Sequence, residues 1–474
     1  MFESTVAQFS DRINDFLIDA ILKLAQNLDF GEIEIELRNL LKEIGETLLQ
    51  LILADVIESK DFLMILKLYG GWKSYRFKEY RQISITLYDG QKIEVNSPFF
   101  LKTTAKRGRK KRGPNNRGCH LGLELFGIYE KMSPLFASRV CRQALLCPSF
   151  EVARSILAED GIKIGAKTIR RICIKVGQVG ISDRAGMVVC ETESVAGQRV
   201  MICIDGGRLR EREKKRGAKK KGAKRNGYKT EWREPKLFTI HLIDDEGKPI
   251  RTFDPIYDAA MKDHEGTFNL IEHYLKAVDI RAAKQIIFCG DGIPWIWSGV
   301  KKLCKRLCID HSKVAQVLDY THAKQNLNEI IGYIPKKAKN KKKLEKDMRD
   351  SLWQGEIGRI KQLINDNLKT RQKSKAGKKW LNYFDKNRTR MQYQDFKKKK
   401  LPCGSGCVES AIRRVINLRL KSAGSFWLKQ VAEYMLFLRS VLLSGRWKIF
   451  MTKFSRRESQ KFAKFDNRLM AGIS

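Results

Sequence analysis

Three acidic residues sit where a fold could gather them. Asp205 closes the apolar run VMICID, with Gly206-Gly207 behind it; Asp291 closes QIIFCGD, ahead of Gly292. Glu409 lies in LPCGSGCVESAIRRVINLRLKSAG. Carboxylates side by side repel and raise each other's pKa unless a cation lies between them. Mg²⁺ (or Mn²⁺) suits such oxygen donors and keeps coordination positions for phosphate oxygens. Two such ions a few Å apart activate an attacking oxygen and stabilise a leaving one. The chemistry expected of Asp205, Asp291 and Glu409 is therefore metal-dependent phosphoryl transfer, with two ions. Glu409 also has an ordinary reading. On a helix capped by Ser405, running to about Lys421 and ended by Gly424, it would complement the helix dipole and pair with Arg413 at i+4.

The elements that must position these residues follow from the apolar patterning. Strands are expected at 200–205, 237–244, 248–254, 285–291 and 314–319, with helices at about 265–278 and 295–307. The order is βββαβαβ. Three strands before alternation begins is the order of a ribonuclease H-like fold, an α/β class, and differs from the Rossmann order. In that arrangement the first and fourth strands are neighbours, so Asp205 and Asp291 share one sheet edge.

Composition indicates what such a site would act on. The chain has 474 residues, with 93 Lys+Arg against 53 Asp+Glu, a net charge of +40. That excess repels itself in a compact fold and is understandable beside a polyanion, since neutralising phosphates releases counterions. A hydrophobic fraction of 43% is enough for sizeable cores. No stretch reaches the roughly 20 apolar residues that span a bilayer, and the N-terminus carries no basic region ahead of an apolar run. No membrane partner and no small-molecule substrate are expected, and the place of action is the cytoplasm, with the nucleoid. Eleven cysteines are scattered without paired CxxC motifs. Cys304, Cys308 and His311 cluster, as do Cys403 and Cys407, but structural zinc normally needs four spaced ligands; reduced thiols are the better reading.

Six regions are expected. Residues 1–80 are helical, with Phe9, Ile13, Phe16 and Leu17 on one face. Residues 81–118 hold a β-hairpin around Asp89-Gly90 and a basic linker, Lys106 to Arg117. Residues 119–185 hold a helix-turn-helix, whose second helix turns Ile169, Ile172, Cys173 and Val176 inward and Lys167, Arg170 and Arg171 outward, toward DNA; an ordinary helical hairpin has the same pattern. Residues 199–322 and 401–445 form the catalytic core, 323–400 a helical insertion interrupted at Pro335, and 446–474 a basic tail. Arg413, Arg414, Arg419 and Lys421 form a second phosphate-binding face. Trp295, Trp297, Trp353, Trp380 and Trp427 are candidates for stacking on an extruded base, Trp353 foremost, against a core role for most of them.

The blocks CIDGGRLR, GDGIPWIW, VLDYTHAKQNL and GSGCVESAIRRVINLRLKSAG resemble those of bacterial insertion-sequence transposases of the DDE type, allied to the mutator-like superfamily. The resemblance spans about residues 201–445. It implies a triad of Asp205, Asp291 and Glu409, with Asp319 and His322 matching a D-x-x-H signature and 323–400 matching a helical insertion before the Glu. It implies that Trp232, Arg233 and Lys236 approach the active site, and that the chain works as a homo-oligomer on double-stranded transposon ends and target. The loop 208–236 is an unusual element beside the resemblance: its basic part reads as a mobile DNA clamp, or as a disordered charged loop with weak attraction to DNA. The implied reaction is hydrolysis at the transposon end to free a 3′-hydroxyl, then attack of that hydroxyl on target DNA. Two other readings are a ribonuclease H-like, structure-selective DNA nuclease and a non-catalytic or domesticated DNA-binding regulator.

Overall fold

The computed structural model describes residues 2–26, 30–103, 118–215, 217, 222, 226–334, 340–368, 374–375, 377–378 and 381–471. The basic linker Lys106–Arg117, Pro335, Trp380 and much of the basic loop after 215 lie outside the described residues. The chain forms two compact units, one of residues 1–143, 151–172 and 451–474, the other of residues 144–150 and 173–450.

The first unit begins with three helices, α1 (Phe2–Ala25), α2 (Phe30–Glu58) and α3 (Lys60–Trp72). Ser59 caps α3 by accepting the N–H of Phe62. Strands β1 (Tyr75–Thr86) and β2 (Lys92–Lys102) pair antiparallel, with Ile83 opposite Val95 and Ile85 opposite Ile93. The hairpin thus begins six residues before 81. Its turn carries Gly90 at φ +88°, a left-handed backbone that favours glycine. The short strand β3 (Gly118–Cys119) completes the sheet, and α4 (Leu121–Leu125), α5 (Pro134–Leu146), α6 (Phe150–Glu159) and α7 (Ala166–Ser182) follow. Ile57, Ile83, Ile85, Ile93, Val95 and Leu123 make one core cluster, with Leu66, Phe100 and Leu121 making another.

Helices α6 and α7 stand where the helix-turn-helix is expected. Ile169, Ile172, Cys173 and Val176 are buried, Lys167 and Arg171 exposed, and Arg170 half-buried. Arg171 lies 3.6 Å from Glu130. The division between the two units falls inside α7, at 172/173.

In the second unit, α8 (Arg184–Val188) precedes the main sheet: β4 (Arg199–Gly206), β7 (Lys236–Ile243), β8 (Ile256–Ala260), β9 (Gln285–Gly290) and β10 (Val314–Leu318). Between β4 and β7 rises a two-stranded arm, β5 (Leu209–Lys214) and β6 (Tyr228–Arg233). The sheet order is β10-β9-β4-β7-β8, with β4, β9 and β10 parallel and β7 and β8 antiparallel to their neighbours. The third strand is thus 256–260 rather than 248–254. The turn at Gly247 and the proline at 249 leave the earlier segment a single bridge, Ile243 to Pro249, whereas IYDAA follows Pro255 and pairs fully.

Helices α9 (His264–Ala277), α10 (Pro294–Arg306) and α11 (Tyr320–Ile331) alternate with the last strands. The insertion contributes α12 (Lys341–Gln354), α13 (Ile357–Asn367), a π-turn at Leu381–Asp385 and α14 (Tyr393–Lys398). Then come α15 (Gly406–Ile412), α16 (Lys429–Leu443) and α17 (Trp447–Ala471). Most of α17 belongs to the first unit, where Glu458 accepts from Tyr69 (2.9 Å) and pairs with Lys73. The expected basic tail is therefore an ordered helix. Its aromatics Phe450, Phe454 and Phe465 are buried because they recur on one face. Among the described residues no helix is long and apolar enough to cross a membrane.

Candidate active site

Register brings the first two carboxylates together. Parallel pairing matches Cys203 with Cys289 and Ile204 with Gly290; one step further, at the same edge, stand Asp205 and Asp291. Each carboxylate accepts the N–H of the following glycine, Gly206 at 2.6 Å and Gly292 at 2.5 Å. The indole of Trp297 donates to the Asp291 carbonyl at 2.9 Å and fixes the loop. Gly292 has no room for a Cβ, which would stand 2.3 Å from the ring of Tyr383. That tyrosine comes from the insertion, and burial, then the charge of Asp291, pushes its pKa up.

Glu409 arrives on α15, whose approach to the sheet depends on small side chains. Cys407 lies 3.2 Å from Cys203 and 3.8 Å from the Thr239 hydroxyl. A Cβ on Gly207 would stand 2.5 Å from Ile416. Cys203 and Cys289 each precede an aspartate by two residues and share its face of the sheet, and Cys407 meets Cys203 from the helix. Ser405 occupies the N-cap position of α15 but makes no side-chain cap to the helix. Its N–H and its hydroxyl both donate to Oδ2 of Asp319.

Asp319 is 1% exposed, and both its oxygens are occupied. Oδ1 accepts the N–H of His322 at 3.0 Å, capping α11. The D-x-x-H pair therefore splits into two tasks: Asp319 ties α15 to α11, and His322 faces the carboxylates. The His322 Nδ1 lies 3.8 Å from Asp291 Oδ2, and its Nε2 lies 3.9 Å from Glu409 Oε1. Asp319, His322 and Glu409 are the one group of metal-capable side chains among the described residues whose donor atoms all fall within 4.8 Å of one another. Cys304, Cys308 and His311 form no such group.

The electrostatics agree with the geometry. Burial pushes the Asp205 carboxyl up to about 6; the Gly206 N–H and His322 oppose the shift, while Asp291 and Glu409 add to it. Asp205 thus senses all three of its neighbours. A crowded set of oxygen donors at a half-open edge, with a carboxyl held up by desolvation and like charge, fits a hard divalent cation. Among the described residues, Asp205 and Asp291 do not join Glu409 in a group of 4.8 Å spacing.

Other expected site residues fare differently. Arg413 is exposed, while Arg414 donates to the Tyr257 hydroxyl at 3.1 Å. Lys421 is exposed. Arg419, expected at the phosphate face, is 3% exposed, with its guanidinium 5.0 Å from the Phe150 ring and 5.1 Å from Trp427. It is a packing residue, because the single helix expected to Lys421 ends at Ile412. A π-turn, Arg413–Asn417, then rotates the following side chains inward. Buried Arg439, which the sequence reading missed, stabilises that turn by donating to the carbonyls of Arg414, Val415 and Leu145. Trp353 packs between Tyr320 and Tyr393, with ring centroids at 5.1 and 6.2 Å, and is half-buried in that aromatic cluster. Trp295 stacks on His264 at 4.3 Å, with Lys236 over its ring, and Trp427 is 6% exposed. Lys236 stands opposite Gly206 in the strand register and pairs with Glu234. Trp232 is 56% exposed on the arm, and Arg233 pairs with Glu211 and Glu231.

No protein-family model matches the chain, and no curated protein matches it. Among solved structures, the chain is similar to the Drosophila P element transposase strand transfer complex. The identity is 12%, the TM-score 0.25, and the match covers 70% of this chain and 85% of that one.

Proposed function

We propose that this chain is a DDE-type DNA transposase with a ribonuclease H-like core, in which Asp205, Asp291 and Glu409 hold divalent metal over a DNA phosphate. The observation that carries the reading is the convergence of Asp205 and Asp291 on one sheet edge by parallel register, with His322 set between Asp291 and Glu409. The sheet order, with three antiparallel strands followed by two parallel ones across the first, supports the fold. The net charge of +40 supports DNA as the partner.

Two Mg²⁺ or Mn²⁺ ions, when bound, would polarise the phosphate and lower the pKa of the attacking water or 3′-hydroxyl. Asp205 and Asp291 would hold them from the sheet edge and Glu409 from the helix above. His322 stands within 4 Å of two of the carboxylates, Asp291 and Glu409. Asp319 and Ser405 keep α15 at its distance from the sheet. Lys167, Arg170 and Arg171, with Arg413, Arg414 and Lys421, would contact DNA phosphates. No covalent protein–DNA intermediate is required. The test is Asp291→Asn, assayed with transposon-end DNA and Mg²⁺. End binding should persist while cleavage and joining fall by at least about a thousandfold, about 4 kcal/mol of barrier. Undiminished cleavage would overturn the triad, and cleavage without joining in the parent protein would favour a nuclease.

A further inference from the structure

Two sulfurs meet beside the carboxylate edge from elements 204 residues apart in the chain. Cys203 lies on β4 and is fully buried, and Cys407 lies on α15 and is half-buried. Their Sγ atoms are 3.2 Å apart. A disulfide needs about 2.05 Å, so closing one takes about 1.1 Å of travel. Both thiols are free. Cys289, 1% exposed, stands beside Cys203 in the parallel register. Of the three, Cys407 alone keeps appreciable solvent exposure, so a small oxidant reaches the cluster through it.

The helix can supply that travel more readily than the sheet. Backbone bonds hold β4 to β7 on one side and to β9 on the other. Helix α15 is seven residues long. A Cβ on Gly406 would meet no atom within 4 Å, and one on Gly404 would meet only Asp319, at 3.9 Å. The chain leading to Cys407 is therefore uncrowded, and the bonds from Ser405 to Asp319 are what hold that end of the helix.

We infer that Cys203 and Cys407 are an oxidation site, which a peroxide converts to a disulfide that fastens α15 to β4. With hydrogen peroxide, the Cys407 sulfur attacks one oxygen. The O–O bond breaks, an S–O bond forms, and the thiol proton leaves with the second oxygen as water. The Cys203 sulfur then attacks the oxidised sulfur. An S–S bond forms, the S–O bond breaks, and a second water carries off the Cys203 proton. The two sulfurs together lose two electrons, which the peroxide takes up, and a dithiol restores both thiols by exchange. Glu409 is two residues past Cys407, so drawing Cys407 toward β4 displaces it. The disulfide does not depend on the catalytic reading; its effect on cleavage rests on that reading.

The test uses the full-length protein, reduced, freed of reductant and treated with hydrogen peroxide while folded. It is then blocked with N-ethylmaleimide and digested without reductant. Mass spectra should show a peptide pair linked through Cys203 and Cys407, lighter by two hydrogens than the separate peptides, and dithiothreitol should abolish it. Cleavage of transposon-end DNA with Mg²⁺ should fall about a hundredfold on treatment, the cost of displacing a reacting group by about 1 Å. It should recover with dithiothreitol, whereas Cys407→Ala should cleave at the same rate before and after peroxide. No linked peptide from the folded parent, or a link between Cys203 and Cys289 in its place, would overturn the inference. So would a link that forms while the parent's cleavage stays unchanged. A parent that forms the link but cleaves in neither state would count against the catalytic reading and leave the oxidation site standing.

Discussion

The edge of the five-stranded sheet withdraws carboxylates from water, and the first two helices push aliphatic side chains into it. Asp205 is desolvated enough to raise its pKa to about 6, while Ile21 is 66% exposed. Both are departures from ordinary folding, where buried charges are paired and long apolar stripes are covered. They differ in what would relieve them. The sheet edge lacks positive charge, and the helices lack apolar cover. A third region shows that the first departure is not forced by the fold. In the same unit Arg184 is buried with Asp258 at 2.7 Å and with Glu433, and Tyr274 donates to Asp258 at 3.0 Å, so every buried charge there has its partners. The carboxylates without a cationic partner are therefore local to that sheet edge.

The contrast can be broken first at the paired charges. Asp258→Ala leaves Arg184 buried with half its compensation and should cost about 3–5 kcal/mol of unfolding free energy, measured in urea. A loss under 1 kcal/mol would mean that the ion pair is no better satisfied than the site. The second test has the opposite sign. The folded pKa of Asp205 lies above the ordinary 3.8, so the folded protein holds a proton that the unfolded chain releases. Stability without metal should then fall as pH rises from about 4 to about 6 and stay reduced above that. Asp205→Asn should remove this slope and stabilise the metal-free protein at pH 7, by at most about 3 kcal/mol. Thermal melts in chelator across that window check it, and parallel curves for variant and parent would refute it. The smallest effect is expected at Ser405→Ala. It removes one donor to the buried Asp319 and should cost about 1.5 kcal/mol, together with a loss of cleavage rate as α15 loosens.

The strand ends carrying Asp205 and Asp291 were legible because a fully buried strand is a short apolar run that must stop at a polar residue, and both runs do. The helices with Ile169 and Ile172 inward were legible from their 3.6-residue period. The arm β5–β6 was not, since LREREK and YKTEWR read as a charged loop; their pairing comes from register across a 13-residue gap and from backbone bonds of Arg210 and Arg212 to Trp427. Arg419 was misread because nothing local says that a guanidinium will be sandwiched between Phe150 and Trp427, over 250 residues apart in the chain. Ser405 looked like a helix cap, and only the fold reveals Asp319 as its acceptor, 86 residues earlier.

The span between Cys203 and Cys407, 204 residues, has a consequence during synthesis. The sheet edge with Asp205 and Asp291 is translated well before the helix that brings Glu409. At about 5–20 residues per second, some 10–40 s separate the first carboxylate from the last. A nascent or prematurely terminated chain thus carries its basic surface and two of the three carboxylates, but not the third. On the proposed reading, chain order alone would withhold DNA cutting from an unfinished protein.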